Sequence, residues 1–157
     1  MPTRLSLLTC MAALTACAHG GRASRPSVLF VCQYGSVKSA VAREMTRHRA
    51  TDLGIGVDVL SRDITPQDHI SPALAEHLAA DDVNATSEPI RRLDEATLHR
   101  ADIVVLLAPL PPEMTRVDAR DWTAVPSLNH NYPEAKQFLA QHINALLASV
   151  SAGGGMH

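Results

Sequence analysis

Cysteine is scarce in this 157-residue chain: Cys10, Cys17 and Cys32 are the three present, and no two stand in a C-x-x-C pair. An odd count with that spacing supplies neither a disulfide framework nor a zinc site. No run of lysine and arginine occurs, and the formal net charge is -2, which excludes nucleic acid as the expected partner. No G-x-G-x-x-G is present, so a dinucleotide is not expected. The eight histidines are scattered without the helical spacing of a two-ligand metal site. Neither a metal nor a cofactor is therefore implied. Aromatics make up only 3% of the residues, and Trp122 reads as packing. Without repeats or heptads, the length supports one domain whose core needs no covalent staple.

The N-terminus reads as a leader rather than as part of that domain. Residues 1–4 carry one positive charge, and 5–16 are uncharged and mostly apolar. Such a core is too short for a permanent membrane span but suits a signal peptide. It ends in Leu14-Thr15-Ala16-Cys17, which resembles the bacterial lipobox, whose cysteine is lipidated. The expected organisation is a signal peptide over 1–17 with Cys17 as lipidation site, a flexible tether over 18–27, a domain over 28–150 and a disordered tail over 151–157. That arrangement implies export to the periplasm or cell envelope with a lipid-mediated membrane contact. Initiation at Met11 would instead leave a cytoplasmic protein.

Within the domain, strand and helix patterns alternate. Residues 28–31 are a short apolar run, 57–60 a second strand and 102–107 a third, the last containing Ile103-Val104-Val105-Leu106-Leu107. Unbroken apolar runs of this kind are expected of parallel strands covered on both faces. Helices are expected over 39–49, after Ser71-Pro72, over 93–99 and over 133–150. In the last, Ala135, Phe138, Leu139, Ile143, Leu146, Leu147 and Val150 keep a three-and-four spacing. Strands alternating with helices predict an α/β, three-layer domain with a central parallel sheet.

The segment Val28-Leu29-Phe30-Val31-Cys32-Gln33-Tyr34-Gly35-Ser36-Val37-Lys38-Ser39 carries the chemistry. A thiol closes the first strand, a short loop follows, and a helix begins at Ser39. In a parallel sheet, ligands sit beyond the carboxyl ends of the strands. There, backbone N–H groups and a helix N-terminus favour an anion. A cysteine in such a cradle is expected to ionise easily and act as a nucleophile. The superficial likeness of Gly35-Ser36-Val37-Lys38-Ser39 to a nucleotide loop fails, because the Gly-Lys pair is missing.

The spacing Cys-x5-Lys-Ser resembles the Cys-x5-Arg-Ser loop of the low-molecular-weight protein tyrosine phosphatase family, which includes arsenate reductase relatives. Ser61-Arg62-Asp63-Ile64-Thr65-Pro66, Ile70-Ser71-Pro72-Ala73-Leu74, Ala101-Asp102-Ile103-Val104-Val105-Leu106, Trp122 and Val125-Pro126 are similar to later family segments in the same order. The resemblance implies a two-step displacement through phosphocysteine. Cys32 would be the nucleophile, and residues Gln33, Tyr34, Gly35, Ser36, Val37, Lys38 and Ser39 would bind phosphate. The Ser39 hydroxyl would hydrogen-bond the thiolate.

Two departures accompany it. Lys38 stands where the family has arginine, keeping the charge but not the planar fork. The family's acidic Asp-Pro falls near Ser127, with no Asp-Pro in the chain; Asp118, Asp121, Glu134 and His130 are the candidate substitutes. The implied activity is weak hydrolysis of aryl or tyrosyl phosphomonoesters, with a phosphorylated protein, a small phosphomonoester or an inorganic oxyanion as partner. The rival reading is a binding module that holds an oxyanion without turnover. A phosphocysteine carrier of sugar transport, which shares Cys-x-x-Gly-x-x-x-Ser, is a further alternative. Arsenate reduction by internal relay is excluded, since no cysteine follows Cys32; an arsenate reductase resolved by an external thiol is a lesser alternative.

Overall fold

A computed structural model describes residues 25–34, 37–66 and 70–153. The elements run β1 (Ser27–Tyr34), α1 (Lys38–Leu53), β2 (Asp58–Thr65), α2 (Pro72–Ala80), α3 (Glu95–Arg100), β3 (Ile103–Leu106), β4 (Arg120–Asp121) and α4 (Tyr132–Gly153). The sheet has the order β2-β1-β3-β4, and every pairing is parallel. The domain is therefore the α/β fold with a central parallel sheet. The chain leaves β1 toward β2 on one side and later returns to β3 on the other. That reversal opens a crevice at the carboxyl end of β1.

Val28, Leu29, Phe30 and Val31 are all fully buried. Because side chains alternate along a strand, Val28 and Phe30 join one core, and Leu29 and Val31 a second on the opposite face. The first core is closed by α1, α2 and α4 through Val41, Leu74, Leu78, Leu139, Ile143 and Leu147. The second is closed by Leu93, Leu98 and Ala101 around α3. Burying each large apolar side chain contributes roughly 1.5–3 kcal/mol, so β1 is anchored from both layers. Trp122 packs on Phe30, ring centroids 5.7 Å apart, and on His142 at 5.2 Å, which is the packing role its sequence context suggested.

Local signals explain the helix ends. Ser71 caps α2 by accepting from the Leu74 N–H at 3.2 Å, with Pro72 at the first helical position. Asp94 does the same for α3 through the Thr97 N–H at 2.7 Å. Gly54 ends α1 in the left-handed conformation, φ 67°, where glycine has no side chain to clash.

Three expectations need correction. The second strand does not stop at residue 60 but runs on through Ser61, Arg62, Asp63 and Ile64 to Thr65, because its polar side chains find buried partners. The domain starts one residue earlier than expected, with Ser27 already in β1, its N–H and hydroxyl both donating to Asp102. At the other end α4 continues to Gly153, three residues into the expected tail. The leader over 1–17 with Cys17, most of the tether and residues 154–157 lie outside the described residues. Among the described residues, no helix is long and apolar enough to cross a membrane.

Candidate active site

Cys32 lies near the carboxyl end of β1, and Ser39 in the first turn of α1. The loop between them brings the Ser39 Oγ to 3.2 Å from the Cys32 Sγ. Val37, just before the helix, has φ 69°. A left-handed β-branched residue costs on the order of 1–3 kcal/mol, held here by a side chain that is only 2% exposed. Its carbonyl accepts the first helical bond, from the Val41 N–H at 2.7 Å.

Asp63 completes the group. It is the register partner of Cys32 across β1 and β2, so both side chains project to the same face of the sheet. One oxygen, Oδ1, lies 2.9 Å from the Cys32 Sγ and 2.9 Å from the Ser39 Oγ. Both the thiol and the hydroxyl donate to it. All three side chains are buried, Cys32 at 3%, Ser39 at 2% and Asp63 at 4% exposure.

This arrangement works against the easy ionisation expected of the thiol. Burial pushes the Cys32 thiol up to about 12, and the Asp63 charge and hydrogen bond push the same way, against weaker help from Ser39. Burial likewise raises Asp63 above the usual carboxylate range, opposed by its bonds from Cys32 and Ser39 and by the charges of Arg43 and Arg62. Burial first, and the carboxylate in contact second, act against the ionisation that an electropositive cradle would favour.

Lys38 is half-buried, and its Nζ donates to the carbonyl oxygen of Val125 at 3.1 Å. Burial lowers its ammonium below the usual lysine range, with the Cys32 sulfur working the other way. The bond draws the 125–127 stretch against the start of α1. Ser127 lies two residues beyond Val125, and its own carbonyl accepts from the Asn131 N–H at 2.8 Å ahead of α4. The other acid candidates serve their own turns: Asp118 pairs with Arg116, Asp121 accepts from the Thr123 N–H, and Glu134 bonds Asn131. His130 donates its N–H to the Ser127 carbonyl. Gln33 and Tyr34 belong to β1, whereas Gly35 and Ser36 lie outside the described residues.

The functional residue that sequence reasoning passed over is Asp63. Its signal was present: a carboxylate inside a segment otherwise extended and flanked by Ile64. Only the pairing of β2 with β1 turns it toward the thiol.

A second polar cluster adjoins this one. Arg43, one turn after Ser39, is 2% exposed and donates to Glu44 Oε1 at 2.7 Å, Ser61 Oγ at 2.7 Å and Ser87 Oγ at 2.9 Å. A cavity of about 260 Å³ runs beside both clusters, lined by Asp63, Ser61, Arg43 and Glu88 and by apolar residues such as Ile70 and Ile90. Among the described residues no cluster of side chains is suited to hold a metal.

Solved structures of similar fold include YfkJ from Bacillus subtilis, at 21% identity and TM-score 0.70, covering 85% of this chain and 99% of that one. A thioredoxin-dependent arsenate reductase of Corynebacterium glutamicum matches at 23% identity and TM-score 0.64, over 84% of this chain and 65% of that one. A low molecular weight protein tyrosine phosphatase from T. tengcongensis matches at 18% identity and TM-score 0.65, over 79% and 99%. No curated protein sequence matches the chain. Residues 27–147 match the profile of the low molecular weight phosphotyrosine protein phosphatase, a span from the start of β1 into the last turns of α4, and the chain belongs to that family.

Proposed function

We propose that the protein is a cysteine-dependent phosphomonoesterase that turns over aryl phosphates slowly through a phosphocysteine. The observation that carries this reading is the placement of the Cys32 Sγ at the end of the central strand, 3.2 Å from a hydroxyl in the first turn of the following helix. In the first step the Cys32 thiolate, its proton lost to solvent, attacks phosphorus, the Sγ–P bond forms and the P–O bond to the leaving group breaks. In the second, water displaces the sulfur and releases phosphate. The Ser39 hydroxyl, 3.2 Å from the sulfur, turns from Asp63 to hydrogen-bond the sulfur as it leaves. Lys38 supplies positive charge at the loop but not the two parallel bonds of a guanidinium. Without an acid at the Ser127 position, the leaving group departs unprotonated, and phenoxide does this more readily than alkoxide.

The test is hydrolysis of an activated aryl phosphate and an alkyl phosphate by the full chain and by Cys32→Ser. The expected result is measurable turnover of the aryl ester, little of the alkyl ester, and complete loss in Cys32→Ser. Equal rates for wild type and Cys32→Ser remove the enzymatic reading.

A second reading has its own support. Burial and the contact with Asp63 push the thiol toward its protonated form, and Lys38 is already engaged with the Val125 carbonyl, which suits a module that binds an oxyanion without turning it over. Calorimetry with inorganic phosphate distinguishes it: saturable binding that weakens in Lys38→Ala, alongside absent hydrolysis, favours this reading.

A further inference from the structure

Two anions in contact inside a protein repel each other unless a proton or a cation is shared between them. The Cys32 Sγ and Asp63 Oδ1 are 2.9 Å apart, and both side chains are almost fully excluded from water. Coulomb repulsion between a thiolate and a carboxylate at that separation is only weakly screened where solvent is excluded. The contact is favourable with a proton between them and unfavourable without one.

We propose that Asp63 is a proton-holding residue for Cys32: the two side chains share one proton, and that proton must leave before the sulfur can attack. The inference rests on the reading of Cys32 as nucleophile and adds what governs its protonation.

The neighbourhood fits this role. Ser39 donates its hydroxyl proton to the same Oδ1 at 2.9 Å, and its support for the sulfur as anion is weaker than the opposing effects of burial and Asp63. Arg43 on α1 and Arg62 on β2 are the cations acting on Asp63. The Arg43 guanidinium is committed to Glu44, Ser61 and Ser87 and lies 3.6 Å from Glu88. Lys38 on α1 is a cation coupled to Cys32, with its ammonium bonded to Val125. Glu88 faces the shared cavity but is paired with Arg47 at 2.6 Å. Asp63 itself lines that cavity, which gives the shared proton a way out. A family nucleophile is thus kept unarmed by a carboxylate from the adjacent strand. Deprotonation at higher pH, or removal of that carboxylate, arms it.

The experiment follows the ultraviolet absorbance of the thiolate across pH in the full chain. Subtracting Cys32→Ser cancels Cys10 and Cys17. Wild type is expected to show almost no Cys32 thiolate at neutral pH. Asp63→Asn, which keeps size and an acceptor oxygen but removes the charge, should show at least roughly tenfold more thiolate at the same pH, equivalent to a midpoint at least one unit lower. The pH dependence of Cys32 alkylation should shift the same way. Mere loosening of the structure would speed alkylation at every pH without moving the midpoint, and that outcome overturns the proposal. A wild-type Cys32 already ionised at neutral pH also overturns it, whether or not Asp63→Asn folds. These readouts need no phosphate chemistry. A shifted midpoint with no hydrolysis removes the phosphatase reading and leaves the proton pair standing; hydrolysis with an unmoved midpoint does the reverse.

Discussion

Arg43 on α1 and Asp63 on β2 are both buried charges at the interface of these two elements. Ser39 and Arg43 are a helical turn apart, and Ser61 and Asp63 lie on one face of the strand, so the elements meet in two adjacent polar contacts. In the first contact every charge is answered. Arg43 faces Glu44, Arg47 faces Glu44 and Glu88, and Ser87 bridges Arg43 and Glu44. In the second, a carboxylate faces a thiol and a hydroxyl, and no guanidinium among the described residues is bonded to it. The paired cluster fastens helix to strand, whereas the thiol corner holds its charge at a cost.

Titration directions separate the two. Burial works against the Glu44 charge, but the bonds from Arg43 and Ser87 and the charges of Arg43 and Arg47 outweigh it and hold its carboxyl below the usual range. Asp63 is displaced upward, because burial outweighs the help it receives. One carboxylate belongs to the stable frame, and the other is strained toward protonation.

The largest effect should come from breaking the paired cluster. Arg43→Ala leaves Glu44 buried without its main partner, and loss of one member of a buried pair costs about 3–5 kcal/mol. Denaturant unfolding should show that loss, and a change within the noise of a surface mutation would mean the cluster does not carry the interface.

Glu44→Gln should cost less, about 1.5–3 kcal/mol for a charge-assisted bond, and its cost should depend on pH. A depressed carboxyl stabilises the fold above its unfolded value and loses that contribution as pH falls through the folded one. The wild-type advantage over Glu44→Gln should therefore shrink in acid.

Asp63→Asn should give the smallest change, with the opposite sign. A raised carboxyl contributes stability below its unfolded value and loses it as pH rises through the folded one. At neutral pH the variant should be at least as stable as wild type, with the difference closing or reversing in acid. Unfolding curves for both variants at several pH values check the contrast, and parallel pH profiles would erase the distinction between the clusters.

Much of the frame was legible in residue order. The apolar run at Val28 to Val31, the Ser71-Pro72 helix start and the spacing from Ala135 to Val150 each follow from local patterning, and each forms as expected. Phe138 alone of that last stripe is only half-buried, stacking on His142 with centroids 3.9 Å apart. Less legible were the polar residues that end up inside. Arg43 and Glu44 look like a solvated helix face, and Ser61-Arg62-Asp63 looks like the end of a strand. Burial of such residues depends on partners from elsewhere in the chain, such as Ser87 for Arg43 and Cys32 for Asp63. The two-residue strand β4 is too short to leave a periodic signal, and its pairing with β3 defines it.

The sequence by itself determined that a thiol sits near the carboxyl end of the first strand of a parallel α/β domain, with a serine in the first turn of the next helix, because apolar run, loop length and helix start are local properties; that β1 runs on past Cys32 through Gln33 and Tyr34 was not among them. It also carried the family, the lysine at Lys38 and the missing aspartate near Ser127. Only the tertiary structure decided whether that thiol is armed. Protonation depends on burial and on the nearest charge, and here that charge is Asp63, thirty-one positions along the chain and 2.9 Å away in space.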